Sequence, residues 1–363
     1  MDRDRITEDE GVMTMERKKI AILFGGCSTE YEVSLQSAAA VIRNIDRQIY
    51  EPVLVGITRD GAWYRYDGPV ERIQNDTWAN HPSCTPAVIS PDRQTRGLLI
   101  FKYGLVATVP LDAVFAVLHG KNGEDGTIQG LLEIAGIPCV GCGLLSSAIC
   151  MDKDVAHRLA QGAGIATPPS VVVRSGISEA ELLDRVSALT FPLFVKPANA
   201  GSSFGISKVT EPSKLFQAVT DALGHDCKVV VEQAVEGFEV GCAVLGNGEL
   251  TIGEVDEIEL SGGFFDYTEK YTLKTAKIHM PARIDPDTSA RIKQTAAKVY
   301  EALECRGFAR VDMFLTPEKQ IVFNEVNTIP GFTAHSRYPS MLGGIGVGFA
   351  QIVNTLISLA LSS

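Results

Sequence analysis

The chain contains no run of 18 or more apolar residues, which excludes a membrane-spanning helix of the usual length. It has no excess of basic side chains: Lys and Arg number 33 against 44 Asp and Glu, a formal net charge of −11. Bulk attraction to nucleic acid or to an anionic membrane needs a basic face, so neither partner is expected, although a locally basic cleft can still hold a small anion. The motif G-x-x-x-x-G-K-[ST] is missing, and no G-x-G-x-x-G follows the first apolar run, which removes the P-loop and the dinucleotide fingerprint. Repeats and low-complexity tracts are absent as well. The opening stretch MDRDRITEDEGVMTM is charged and lacks the apolar segment of a secretory signal, so residues 1–17 are expected to form a disordered extension of a cytoplasmic protein. In a reducing compartment the eight cysteines need no disulfides. Cys139-Val-Gly-Cys142 has no second pair and no nearby histidine, and reads as loop or core rather than as a zinc site.

The 363 residues exceed one ordinary core and suggest two or three domains. KIAILF, EPVLVGIT and LDAVFAVLHG read as strands alternating with the helices EVSLQSAAAVIRNID and GTIQGLLEIAG, the pattern of a parallel α/β sheet. The Pro-, Asp-, Asn- and Thr-rich stretch from Asp67 to Arg96 reads as irregular or inserted structure. SSAICMDKDVAHRLAQGAG reads as one helix, followed by the strands SVVVRS, PLFVKPA and ISKVT and the helix EPSKLFQAVTDAL. KVVVEQAV is taken to open a third unit, which holds the helix TSARIKQTAAKVYEAL, a hairpin FARVDMFL/IVFNEVN and a terminal helix GVGFAQIVNTLISLAL. The expected domains are 18–140, 141–228 and 229–363.

Three stretches carry candidate chemistry. Beyond the glycine pair Gly25-Gly26 lie Glu30 and Glu32. In FVKPANAGSSFGISKV, Lys196 precedes a small flexible loop, Gly201-Ser202-Ser203, whose backbone N–H groups could approach phosphate oxygens; a plain Gly/Ser turn explains the same residues equally well. In the hairpin, residues two apart share a face, so Arg310 and Asp312 point together, as do Glu325 and Asn327, and all four converge if the strands pair. Two carboxylates and an amide form an all-oxygen ligand set for Mg²⁺, with an arginine beside it for developing negative charge; a solvated face of salt bridges is the bland alternative. Lys153, Glu232 and Glu239 are unremarkable when read singly.

Taken in order, the motifs FGGCSTEYEVSLQSA, VLHGKNGEDGTIQGLLEIAGIPCVGCG, MDKD, FVKPANAGSSFGISKV, VEQAVEGFEV, FFDYTEKY, GFARVDMF and FNEVNTIPGFTAHS resemble the D-alanine–D-alanine ligase family of the ATP-grasp superfamily, and most closely its D-alanine–D-serine ligases of vancomycin resistance. The resemblance implies a three-domain α/β fold, with an N-terminal parallel sheet followed by two α+β domains that clasp ATP. It implies phosphorylation of one D-alanine and attack of a second D-residue on the acyl phosphate. In the family's pattern Lys153 and Lys196 would hold phosphates under the loop Gly201, Ser202 and Ser203. Glu232 and the backbone near Val235 would read adenine, Glu239 the ribose, and Phe264 would cover the purine. Asp312, Glu325 and Asn327 would hold Mg²⁺, two ions in all, with Mn²⁺ able to substitute. Arg310 and the N–H of Gly331 would stabilise the oxyanion. Glu30 would pair with the first ammonium, linked to Ser202 and Tyr271, and His119 would face the first carboxylate. Lys270 and Ser336 would take the second carboxylate. A homodimer is implied as well.

Two features bear on the second substrate. The loop keeps Lys270-Tyr271, as peptide-forming members do, which disfavours D-lactate. Arg337 stands where D-alanine–D-alanine ligases usually carry an apolar residue, and its guanidinium can donate to a hydroxymethyl group. D-Serine is therefore expected, with D-alanine as the alternative; a regulatory module that has lost catalysis is a remote third reading. The bland alternative is that Arg337 turns outward to solvent or pairs with an acidic neighbour.

Overall fold

A computed structural model describes residues 16–199, 201, 205–260 and 276–362. The assignments made to Ser202, Ser203, Phe264, Lys270 and Tyr271, and to the extension up to residue 15, lie outside the described residues.

The first unit is built on a seven-stranded sheet. Its strands are β1 (Lys18–Gly25), β2 (Tyr50–Ile57), β3 (Trp63–Arg65), β4 (Thr85–Ile89), β5 (Gly97–Lys102), β6 (Leu105–Pro110) and β7 (Ala113–Ala116), in the order β6-β5-β4-β3-β2-β1-β7. Only β1, β2 and β7 run parallel, whereas β2 through β6 form an antiparallel meander. The expectation of a parallel sheet thus holds only for the end of the sheet formed by β2, β1 and β7. Parallel neighbours need a crossover of a dozen or more residues. Helix α1 (Tyr31–Asn44) supplies one between β1 and β2, but Tyr103-Gly104, both at positive φ, joins β5 to β6 in a tight hairpin. The stretch read as irregular contributes β4 and the short helix α2 (Val70–Gln74), and Trp78 within it is fully buried against Phe24 and Tyr66.

Helix α3 (Thr127–Ala135) leads to α4 (Leu144–Met151) and α5 (Lys153–Gly162). The single helix expected here is two, because Asp152 is extended (φ −85°, ψ 99°) and its side chain caps α5 by accepting from the Val155 N–H. The break makes Lys153 the first residue of a helix. The second unit is an antiparallel sheet of β8 (Ser170–Arg174), β9 (Leu193–Pro197), β10 (Ser207–Val209) and β11 (Lys228–Gln233), in the order β10-β9-β11-β8. Helices α6 (Glu179–Arg185) and α7 (Leu215–Leu223) cover it through Leu182, Leu215 and Val219. Strand β11, read as the start of the third unit, pairs with β8 and β9, so this sheet extends past Lys228.

The third sheet comprises β12 (Phe238–Leu245), β13 (Thr251–Leu260), β14 (Ala276–His279), β15 (Phe308–Leu315) and β16 (Ile321–Asn327), in the order β14-β13-β12-β15-β16. Helix α8 (Pro286–Ala302) buries Ile292, Ala296 and Val299 in the core of this unit. Helix α9 (Arg337–Gly343), which sequence reading missed because Pro339 lies within it, contacts β12 and β13. Helix α10 (Phe349–Leu361) inserts Ile352, Val353, Leu356 and Ile357 into a core shared with α1 and β1 of the first unit. Phe115, Phe308 and Phe332 meet edge to face in the same core, with centroids 5.5 to 6.1 Å apart. The first and third units are therefore one apolar body, and the cleft lies along their seam. No helix among the described residues is long and apolar enough to cross a membrane.

Candidate active site

At the end of β1 the chain turns on Gly25 (φ +87°) and Gly26 (φ +101°). A Cβ on Gly25 would lie 2.1 Å from the Ile57 carbonyl, so only glycine fits. Ser28 accepts from the Glu30 N–H and donates to the His119 carbonyl (2.7 Å), which sets Glu30 immediately ahead of α1, 8 % exposed. A Cβ on Gly120 would meet Glu30 Oε2 at 2.4 Å, and one on Gly201 would meet it at 3.3 Å. The loop of the second unit thus reaches across to this carboxylate. Glu32, in the first turn of α1, instead pairs at 2.6 Å with Arg59, whose hydrogen bond holds it below the usual carboxylate range.

His119 is buried. Nδ1 donates to the Ile329 carbonyl (2.8 Å), since a carbonyl can only accept, and Nε2 then accepts from Ser37 Oγ (3.0 Å). Ser37 in turn accepts from the Phe332 N–H. Burial, against the pull of Glu30, holds the imidazole pKa low. His119 lines the cleft, but both ring nitrogens are committed to the fold. Through these bonds it ties the Ile329–Phe332 loop, which carries Gly331, to α1. Glu124, inside a quoted motif yet not singled out from sequence, accepts from Gly120 N–H (2.7 Å) and Ile329 N–H (3.2 Å). Burial, then the Glu30 charge, push its pKa up to about 8.

The hairpin converges as expected. Arg310 pairs with Asn327 across the strands, and Asp312 with Glu325. Arg310 donates twice to Asp312 (2.8 and 2.7 Å), and Asn327 Nδ2 donates to the same carboxylate (2.9 Å). Burial alone would raise the Asp312 pKa, but Arg310 and Arg337 more than offset it and hold the group low. Lys153 Nζ lies 3.6 Å from Glu325 Oε2. Lys196 and Glu232 form a buried ion pair, and Glu232 Oε2 and the nearby His157 Nδ1 are buried without a hydrogen-bond partner. Among the described residues no three His, Cys, Asp or Glu side chains cluster as a metal site.

A cleft of about 480 Å³ gathers Glu30, His119, Glu124, Lys153, Gly201, Arg310, Glu325, Asn327, Gly331, Ser336 and Arg337. Lys196, Glu232, Val235, Glu239 and Asp312 are not in its lining. Ser336 accepts from the Thr333 N–H and precedes α9. Arg337 does not reach out to solvent. Its Nε and Nη2 donate to both oxygens of Asp256 (2.7 and 2.8 Å), Nη1 donates to Glu239 (3.1 Å), and Asp312 lies 3.4 Å away. Glu239, expected at a ribose, is thus a partner of Arg337. Asp256 was missed because it lies 81 positions away on β13 and carries no motif of its own.

The chain is similar to known proteins along nearly its whole length. The description "D-ala D-ala ligase N-terminus" matches residues 19–142, and "D-ala D-ala ligase C-terminus" matches 159–358. The chain belongs to the D-alanine–D-alanine ligase family. A putative D-alanine–D-lactate ligase of Streptomyces coelicolor is 48 % identical over 96 % of this chain and 99 % of its own length. A D-alanine–D-alanine ligase of Caldicellulosiruptor bescii is 43 % identical over 96 % of both chains. The solved VanG D-Ala:D-Ser ligase of Enterococcus faecalis is 56 % identical, covers 95 % of this chain and 100 % of its own, and superposes with a TM-score of 0.89. The three-sheet architecture is accordingly the ATP-grasp fold of these ligases, and the protein is an ATP-dependent ligase of the D-alanine–D-X class.

Proposed function

We propose that the second substrate is D-serine, so that the enzyme joins D-alanine to D-serine in the cytoplasm through a D-alanyl phosphate, as a homodimer. The observation that carries this reading is Arg337 in the wall of the cleft. Three of its five N–H bonds go to Asp256 and Glu239 and Nη2 also faces Asp312 at 3.4 Å, which fixes the guanidinium plane and leaves the second Nη1 N–H for a ligand hydroxyl. A site built to bond a hydroxyl discriminates strongly against the analogue that lacks it. The D-alanine–D-alanine reading draws on the same residue, since a guanidinium so committed to carboxylates can act as an internal strap.

For the first half-reaction, Glu30 would bind the first ammonium with Ser202 and Tyr271, while Lys153, Lys196 and the Gly201–Ser203 loop would carry the triphosphate. The unpartnered Glu232 oxygen fits an adenine amino group, which needs an acceptor, with Val235, Glu239 and Phe264 completing the nucleoside site. Asp312, Glu325 and Asn327 supply the hard oxygen donors that Mg²⁺ takes, and bound Mg²⁺ would neutralise charge on the transferring phosphoryl group. Arg310 and Gly331 N–H would face the oxyanion, and Lys270 and Ser336 the second carboxylate. The test is product analysis with ATP, Mg²⁺ and D-alanine alone or with D-serine or D-lactate, with an EDTA control. Faster phosphate release and a mixed dipeptide with D-serine are expected. A rate and product with D-alanine alone that match the D-serine mixture would overturn the assignment, and a depsipeptide with D-lactate would redirect it.

A further inference from the structure

Lys228 is a buried cation that the chemistry above does not use. It begins β11, is 5 % exposed, and donates through Nζ to Asp152 Oδ1 (2.5 Å) and Asp154 Oδ2 (3.1 Å). Asp152 is the residue that breaks α4 from α5 and caps α5, and Lys153 follows it. The backbone of Lys228 is tied to the same place: its carbonyl accepts from Ala198 N–H (2.9 Å), and the Ala198 carbonyl accepts from Lys153 N–H (3.1 Å). Two residues earlier, Asp226 accepts from Lys228 N–H and from both the backbone and the side chain of Asn199 (2.8 and 2.9 Å). One residue therefore links the start of the helix that carries Lys153 to the root of the loop that carries Gly201.

We propose that Lys228 is a positioning residue for ATP, acting through Asp152 on Lys153 and through Ala198 and Asp226 on the glycine loop. The inference rests on the reading that Lys153 and that loop hold the phosphates. A buried ion pair is weak evidence of stabilisation, because desolvation offsets most of its attraction. Its geometric consequence is larger. Without the Lys228 ammonium, Asp152 loses its tie to β11, while Asp154 keeps its pair with Arg158, and the start of the helix that carries Lys153 is released from the root of the glycine loop. A displacement of about 1 Å in a group such as Lys153 can cost roughly 10²-fold in rate.

The experiment measures KM for ATP and for D-alanine, and calorimetric binding of a non-hydrolysable ATP analogue with Mg²⁺, in four variants whose folding is checked by circular dichroism. Lys228→Met is expected to raise the ATP KM at least about tenfold while the D-alanine KM moves less than about threefold, a split that general loosening would not give. Lys228→Arg, which keeps the charge, should recover most of the loss. Asp152→Asn, which removes the charge but can still cap α5, should weaken ATP in the same direction. A folded Lys228→Met with unchanged analogue affinity, or with both KM values raised together, overturns the proposal. If Lys228→Met does not fold, an unchanged ATP KM in Asp152→Asn overturns it. Lys153→Ala separates the two readings: unchanged analogue affinity there sinks the phosphate assignment and this inference with it, whereas a loss there with none in Lys228→Met sinks the inference alone.

Discussion

Replacing Arg337 with leucine tests whether this residue selects the substrate or only straps the fold. The guanidinium is surrounded by Asp256, Glu239 and Asp312, and the Asp256 side chain is 1 % exposed. Removing one partner of a buried pair leaves an uncompensated charge and costs roughly 3–5 kcal/mol. The folded state should therefore lose stability by that order, measured by urea unfolding. Selectivity is a separate quantity. If Arg337 bonds the serine hydroxyl, the ratio of kcat/KM for D-serine to that for D-alanine should fall at least about tenfold, or ~1.4 kcal/mol. The double variant Arg337→Leu/Asp256→Asn separates the two effects. Asparagine can still accept from the Gly241 N–H that now donates to Asp256 Oδ1, so part of the stability should return while the selectivity stays lost. A stability loss with an unchanged substrate ratio would refute the recognition role and leave Arg337 as a strap.

Glu30→Gln should impair use of the first D-alanine by about two orders of magnitude, as loss of a buried charge contact implies, whereas Glu32→Gln, which loses only an exposed pair with Arg59, should change it a few-fold at most; steady-state kinetics at saturating second substrate distinguish them. Glu124 gives a pH signature. Its pKa is raised in the folded state from 4.5 to about 8, so its contribution to stability is fully present below 4.5 and is lost as pH rises through about 8. Wild-type unfolding midpoints should fall across that window, and Glu124→Gln should flatten the fall; parallel profiles would refute the assignment.

Much of the site was legible because its logic is local. The i, i+2 rule put Arg310 with Asp312 and Glu325 with Asn327, and the hairpin needed only its five-residue turn to bring them together. Gly25 and Gly26 announced a tight turn, and the contrast between Glu30 and Glu32 followed from where α1 begins. Other elements were misread where context overrode pattern. Residues 144–162 have helical periodicity throughout, but Asp152 turns its carboxylate to Val155 N–H and Lys228 and divides them. Meander strands next to parallel ones cannot be told apart by composition, because the length of each connection sets their direction.

The sequence by itself determined the family, the order of the motifs and the side-chain types the reaction requires, because these depend on residue identity and on spacing within single elements. Tertiary structure alone decided which partner each charged or polar group takes. It turned His119 to Ile329 and Ser37, 210 and 82 positions away, set Arg337 on Asp256, and joined Lys228 to Asp152 across 76 positions. Those pairings depend on sheet order and on the seam between units. Periodicity along a strand or helix shows which face a side chain occupies, but it carries no information about what the opposing element brings to meet it.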